Sequence, residues 1–460
     1  MAFSIPHRYR SFLPRFYRLA FVGILSNMMV PLAGLVDSAF LGHLDNINYL
    51  AGVILGSILF DYLYRILKFL RNSTNSLTAN AVGQNDSTEV LAALLRCGVI
   101  ALAIACVMLL FQYPIHQLGF AILSGAPEIE LSGLDYFNAR IWGAPAVLLN
   151  FVLIGWFLGR EMNWVVLIMS ILGNGSNVAF DYLMIVQWGW ESTGAGVATA
   201  LSQYLALLVG FVAMVLTTDW SAMGTAWRAV QDRQSLTSAI ALKGNMLVRF
   251  LALISAYSIF TNLSASFGAE FLAQNGLLLQ IALLSQFTVQ GAGMTSQTLI
   301  GNFKGQKRID KILPVLQVAL VTAMVISLGF ALSAVFFPDT IFKLLTNHGD
   351  VNHMMSQYAI WLVPLLSLTA VAFMLESYFS GIKDGAALRN AALSGFVFGF
   401  TPTTFFANYY HSESLLWAAL VNYMGVICLY LTYRLLRTHK ALELTLQPVT
   451  TSQTKAPVST

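Results

Sequence analysis

Twelve stretches of about twenty apolar residues recur along this chain of 460 residues, and that recurrence fixes the solvent in which it folds. A helix rises about 1.5 Å per residue, so about 20 residues cross the roughly 30 Å of hydrocarbon in a bilayer. The stretches run over 17–41, 50–80, 91–112, 134–159, 164–188, 194–216, 247–270, 275–300, 312–337, 355–381, 387–409 and 413–436. Hydrophobic residues make up 57% of the chain and charged residues 10%, too apolar a mixture for one water-soluble core. The expected fold is an all-α polytopic membrane protein with twelve transmembrane helices. The second stretch ends in Asn72, Ser73, Thr74 and Asn75 and is expected to fray there.

Lys and Arg in the short loops set the orientation, because cytoplasmic segments hold the positive excess. Arg8, Arg10 and Arg15 precede the first stretch and Arg18 stands at its start, and Arg160, Arg228, Lys304, Lys307, Lys383 and Arg437 fall on the same side. Both termini are therefore expected in the cytoplasm and the chain in the plasma (inner) membrane. The net charge of +4 reflects this asymmetry, so no nucleic-acid partner is expected. Cys97, Cys106 and Cys428 have no metal spacing and no even-numbered framework. Residues 438–460 turn polar and read as a disordered tail.

The chain also repeats itself. Ser76-Leu77-Thr78 with Gly83 is echoed by Met294-Thr295-Ser296 with Gly301, Ile141-Trp142 with Pro145 by Ile360-Trp361 with Pro364, and Phe157 with Gly159 by Phe379 with Gly381. Matches in order at one nearly constant offset indicate two homologous six-helix units, 1–216 and 246–437, joined by a cytoplasmic linker over 217–245. Six is even, so both units enter from the same side and the repeat is parallel, about an axis along the membrane normal. Two such bundles around a central cavity are the architecture of an alternating-access transporter.

Within the first unit, polar residues share a depth. Asp37 lies about 8 Å below the outer edge of the first span, Asp181 about 10 Å below the same edge in the fifth, and Thr199 about 8 Å deep in the sixth. Asn177 is one helical turn from Asp181 on the same face. An unpaired carboxylate at the centre of a membrane helix costs at least about 2.5 kcal/mol, so two of them call for a reason. Carboxylate, amide and hydroxyl oxygens suit Na⁺, while burial and a second carboxylate would let one Asp exchange a proton near neutral pH. Pro31 frees a backbone carbonyl in the first span and is a candidate hinge or static kink.

The runs Leu35-Val36-Asp37-Ser38-Ala39-Phe40-Leu41-Gly42, Phe69-Leu70-Arg71-Asn72-Ser73-Thr74, Arg140-Ile141-Trp142-Gly143-Ala144-Pro145 and Gly155-Trp156-Phe157-Leu158-Gly159 resemble the DinF-like branch of the MATE (multidrug and toxic compound extrusion) transporters. The likeness covers almost the whole chain. It implies a twelve-helix exporter, driven by H⁺ or Na⁺, that expels mostly cationic or amphipathic compounds. It also implies that Asp37, Asn177, Asp181 and Thr199 form the cation site of the N-terminal lobe. The acids that NorM-branch members carry in the seventh and upper tenth spans are missing, so a cation site in the C-terminal lobe is not expected. Glu376 matches a position where DinF-like chains tend to be acidic, and is either a second ionisable or gating group or a carboxylate reaching for the interface.

Other intramembrane charges read as structural. Asp61 and Arg65 stand four apart and can neutralise each other as an ion pair inside the bundle, with Lys68 and Arg71 following. Arg140 and Arg249 sit near span ends and are expected to fix each lobe. No phosphate-binding G-x-x-x-x-G-K-[ST] loop, H-E-x-x-H or G-x-S-x-G exists, which disfavours an ATP-driven pump or a membrane enzyme. The expectation is a monomeric secondary antiporter in the lipid bilayer, without cofactor beyond Na⁺ as a possible coupling ion, exporting a small molecule. The alternative is a flippase or exporter of a lipid-linked or amphipathic metabolite, which would need a strongly cationic cavity.

Overall fold

The computed structural model describes residues 7–42, 47–123, 127–231, 233–338, 355 and 357–446. Among the described residues ten helices are long and apolar enough to cross a membrane. The helix Leu13–Gly42 and a segmented helix over 385–410 complete twelve spans in two six-helix lobes. All backbone hydrogen bonds of such a span close within it, which is what lipid requires of a crossing segment.

The duplication is visible in the corners. Asn85 and Lys307, Glu161 and Lys383, and Glu191 and His411 adopt positive φ after matching spans, 222, 222 and 220 residues apart. Each lobe also bends its penultimate span through a π-helical turn, at Tyr182–Gln187 in the fifth span and Gly395–Phe400 in the eleventh.

The second span does not fray. It pauses at Lys68 between Ile47–Leu67 and Phe69–Gly83, and the polar stretch continues as helix with Ser73, Thr74, Asn75 and Ser76 buried. Ser73 and Thr74 donate back to Leu70 O, while Asn75 and Ser76 find partners in the other lobe. Gln297 of the eighth span (Ala269–Gly305) donates to Asn72 O at 2.7 Å and to Ser76 Oγ at 2.9 Å, and Thr298 donates to Asn75 Oδ1 at 2.9 Å. Partners across this seam stand 219 to 225 residues apart, close to the repeat offset. Near-equivalent residues therefore meet, as they do at a two-fold axis.

Glycine makes the crossing possible. A Cβ on Gly83 would lie 2.1 Å from Asn302 O, and one on Gly305 would lie 2.3 Å from Asn80 O. Both glycines close spans that run toward the face holding the chain ends, so the lobes are sealed together on that face. Asn302 Nδ2 also donates to Glu161 Oε1 at 2.5 Å, and Glu161 takes a bidentate Arg15 guanidinium. Nearer mid-membrane, the first and eighth spans cross at Gly23 and Gly291.

The segment expected to link the lobes holds a helix, Met223–Gln231, and the helix Arg233–Phe267 begins within it, with its membrane-crossing part over Gly244–Phe267. The last helix runs to Leu446, past the start of the expected disordered tail, because Ala441, Leu442, Glu443 and Leu444 favour helix. Residues 447–460 lie outside the described residues.

If close backbone approach holds the seam, Gly305→Ala will loosen it. In a background with Cys97, Cys106 and Cys428 replaced, buried Ser76→Cys should then label faster with a water-soluble maleimide. Equal labelling with and without the glycine change would show that the seam does not depend on it.

Candidate functional site

Asp181 closes the α-helical part of the fifth span, Asn163–Asp181, immediately before its π turn. It is 1% exposed, and Asn177 Nδ2 donates to its Oδ2 at 2.9 Å. The four-residue spacing thus brings amide and carboxylate together. Because the amide NH₂ is spent on the carboxylate, the amide oxygen is left to face a donor or a cation.

Thr199 stands on the sixth span, Glu191–Thr217, which packs along the fifth, and its hydroxyl donates to Ala195 O at 2.8 Å. That bond consumes the hydroxyl proton and leaves the oxygen lone pairs available. Asp37 and Pro31 belong to the C-terminal part of the first span, which also packs against the fifth. Their side chains lie outside the described residues. The first span remains helical through Pro31.

The remaining charged residues do not form one network. Arg249 of the seventh span meets Glu376 of the tenth in a bidentate pair, with Nε donating to Oε1 at 2.6 Å and Nη2 to Oε2. Glu376 is 8% exposed, so it is buried against a partner and does not reach for the interface. Arg71 is equally buried and, among the described residues, donates only to neutral oxygens, Asn27 Oδ1 at 3.4 Å and Gln290 Oε1 at 3.3 Å, so it bridges the first, second and eighth spans. Arg140 donates to the Tyr136 hydroxyl and lies 4.7 Å from the centre of the Phe60 ring, tying the fourth span to the second. Cation–π contacts of this kind gain strength away from water.

The expected ion pair of Asp61 with Arg65 is not formed. Among the described residues no ion pair within 4.0 Å includes either, and both are exposed on a cavity of about 300 Å³ between the lobes. The second span presents them, with Tyr62 and Lys68, to the seventh and eighth spans rather than to its own bundle. Helical spacing makes two residues neighbours but does not choose which body they face. Lys68 sits 5.1 Å from the centre of the Phe287 ring, and Tyr62 and Ser258 share a 3.0 Å hydrogen bond across the cavity. The opposite wall is aromatic and aliphatic, with Phe250, Leu253, Tyr257 and Phe373. Its floor, with Arg249 and Gln290, adjoins a smaller cavity lined by Asn72, Gln297 and Glu376, beyond which lies the seam.

Gln290, Gln297 and Gln286 were not singled out by sequence. The available signal was the repeat itself, since Gln290 stands 219 residues from Arg71 and Gln297 stands 221 from Ser76.

Replacing one member of the buried Arg249–Glu376 pair leaves the other charge uncompensated, at a cost of about 3–5 kcal/mol. Arg249→Met should therefore lower the thermal unfolding midpoint of the detergent-purified protein, and Arg249→Met with Glu376→Leu should recover much of the loss. A double variant as unstable as the sum of its singles would mean that the two charges act independently.

Comparison with known proteins places this architecture. The chain is 27% identical over 418 residues to the DNA damage-inducible protein F of Escherichia coli (strain K12), covering 89% of each chain. It is 21% identical to the probable multidrug resistance protein NorM of Shewanella oneidensis, covering 81% of this chain and 80% of that one. Its fold matches that of an outward-facing multidrug resistance MATE family transporter of the MOP superfamily, with a TM-score of 0.83 and 18% identity over 93% of this chain and 96% of that one. The MatE family model matches residues 23–183 and 246–404, one segment in each lobe, and the chain belongs to that family of membrane transporters.

Proposed function

We propose that the protein is a secondary antiporter that exports amphipathic small molecules in exchange for H⁺ or Na⁺, with the coupling ion handled by Asp37, Asn177, Asp181 and Thr199. The observation that carries this reading is the Asn177–Asp181 pair, a carboxylate 1% exposed within a membrane span of a transporter fold. Burial raises the cost of its charge, so binding a proton or a cation relieves a penalty that the apolar surroundings impose. The relatives support the direction of transport: NorM is described as a probable multidrug resistance protein.

In this reading the lobes are residues 1–216 and 246–437, the termini are cytoplasmic, and the membrane is the plasma (inner) membrane. The sealed face then looks into the cytoplasm, and the chain stands in an outward-facing state. Ion or proton occupancy of the first lobe alters how the first span packs on the fifth. Because the first span also crosses the eighth at Gly23 and Gly291, that change reaches the boundary between the lobes. Pro31 is the position in the first span where bending costs least. Substrate leaves outward, and release of the ion inward resets the cycle.

The alternative substrate, a lipid-linked or amphipathic metabolite, gains a specific observation in the cavity, where Arg65 and Lys68 face the space between the lobes.

In proteoliposomes, an imposed proton or Na⁺ gradient should drive flux of a fluorescent amphiphile through the wild type and not through Asp37→Asn. Undiminished gradient-driven flux in that variant would remove Asp37 from the coupling step. Failure of both gradients to drive flux in the wild type would reject antiport.

A further inference from the structure

We infer that the central cavity selects organic anions: an anionic group on an apolar body, held by Arg65 and Lys68 of the second span. This inference rests on the transporter reading above and specifies its substrate class.

The cavity wall contributed by the first lobe holds two cations and one acid, Arg65, Lys68 and Asp61, and no ion pair within 4.0 Å joins them. The wall contributed by the second lobe adds Arg249, whose charge is taken up by Glu376. Beside Gln290, Arg71 meets only amide oxygens among the described residues. The uncompensated charge facing the space is therefore positive. In a cavity walled by low-dielectric protein, field lines from such a surplus concentrate in the opening.

Lys68 carries this argument furthest. Its ammonium faces the ring of Phe287 at 5.1 Å, so without a ligand its partner across the cavity is an aromatic face and not a carboxylate. Such a contact is weaker than a well-formed charge-assisted hydrogen bond. An arriving sulfonate, carboxylate or phosphate can replace it with a net gain. The aromatic and aliphatic wall opposite, with Phe250, Leu253 and Tyr257, then covers the apolar part of the same molecule. A lipophilic cation fits the second wall but meets net repulsion at the first.

The test measures binding to the purified full-length protein in nanodiscs, using two fluorescent probes with one dansyl body, one ending in a sulfonate and one in a trimethylammonium. The sulfonate should bind more tightly. Lys68→Gln and Arg65→Gln should each weaken it by roughly fivefold, about what a water-accessible ion pair contributes, while Lys68→Arg retains it. Asp61→Asn should tighten it. Tighter binding of the trimethylammonium probe, insensitivity to Lys68→Gln and Arg65→Gln, or no binding of either probe would overturn the inference. Nanodiscs of phosphatidylcholine alone and with added phosphatidylglycerol separate two sources of the anion. Competition by phosphatidylglycerol assigns the site to a lipid headgroup, and its absence assigns it to a soluble amphipathic acid. Anion-selective binding without gradient-driven flux would contradict the antiport reading and leave this selectivity standing.

Discussion

Hydrocarbon offers no hydrogen bonds, so every polar group that this chain carries into the membrane must find its partner in the protein. The seam between the second and eighth spans answers that constraint. Asn75, Ser76 and Asn80 could not face lipid, and each is met by a residue at nearly the same place in the repeat. The strength of the contacts divides along the same line. All five ion pairs among the described residues lie within one lobe: Arg15–Glu161 and Arg96–Glu89 in the first, Arg249–Glu376, Arg308–Asp310 and Arg434–Asp384 in the second. Contacts across the seam are mostly neutral, each worth about 0.5–1.5 kcal/mol net, with Asn302 to Glu161 and Arg71 to Gln290 as charge-assisted exceptions. Bodies stiffened inside and joined by replaceable bonds are what a rocking movement requires.

The halves share a backbone and differ in chemistry. Both bend the penultimate span through a π turn, yet Asp181 precedes it in the first lobe and Ser394 in the second. The irregular backbone is thus a property of the repeat, and the carboxylate is what distinguishes one copy. The second lobe instead buries Glu376 against Arg249 near the cavity floor, where its charge is already compensated. One lobe holds a carboxylate paired with a neutral amide, and the other holds a neutralised pair.

Much of this was legible in the sequence because hydrophobic length and internal repetition are local signals. Span positions and the doubled plan follow from them, as does the pairing of Asn177 with Asp181, which needs only the helical period. Direction around a helix relative to a second body is not local. For that reason Asp61 and Arg65 read as partners although the second span turns them toward the other lobe, and Glu376 could not be matched with Arg249, 127 residues away. The polar end of the second span read as fraying because its partners lie more than 200 residues along the chain.

The distance between the lobes on the sealed face tests the account most directly. Gln84 and Gln306 are exposed, follow the crossing glycines of the two lobes, and occupy equivalent helix ends. Spin labels at Gln84→Cys and Gln306→Cys, in a background lacking the native cysteines and reconstituted in nanodiscs, report that separation by double electron–electron resonance. Alternating access predicts two distance populations whose ratio shifts with pH or Na⁺ and stops shifting when Asp37→Asn is added. A single distance, unchanged across those conditions, would contradict it.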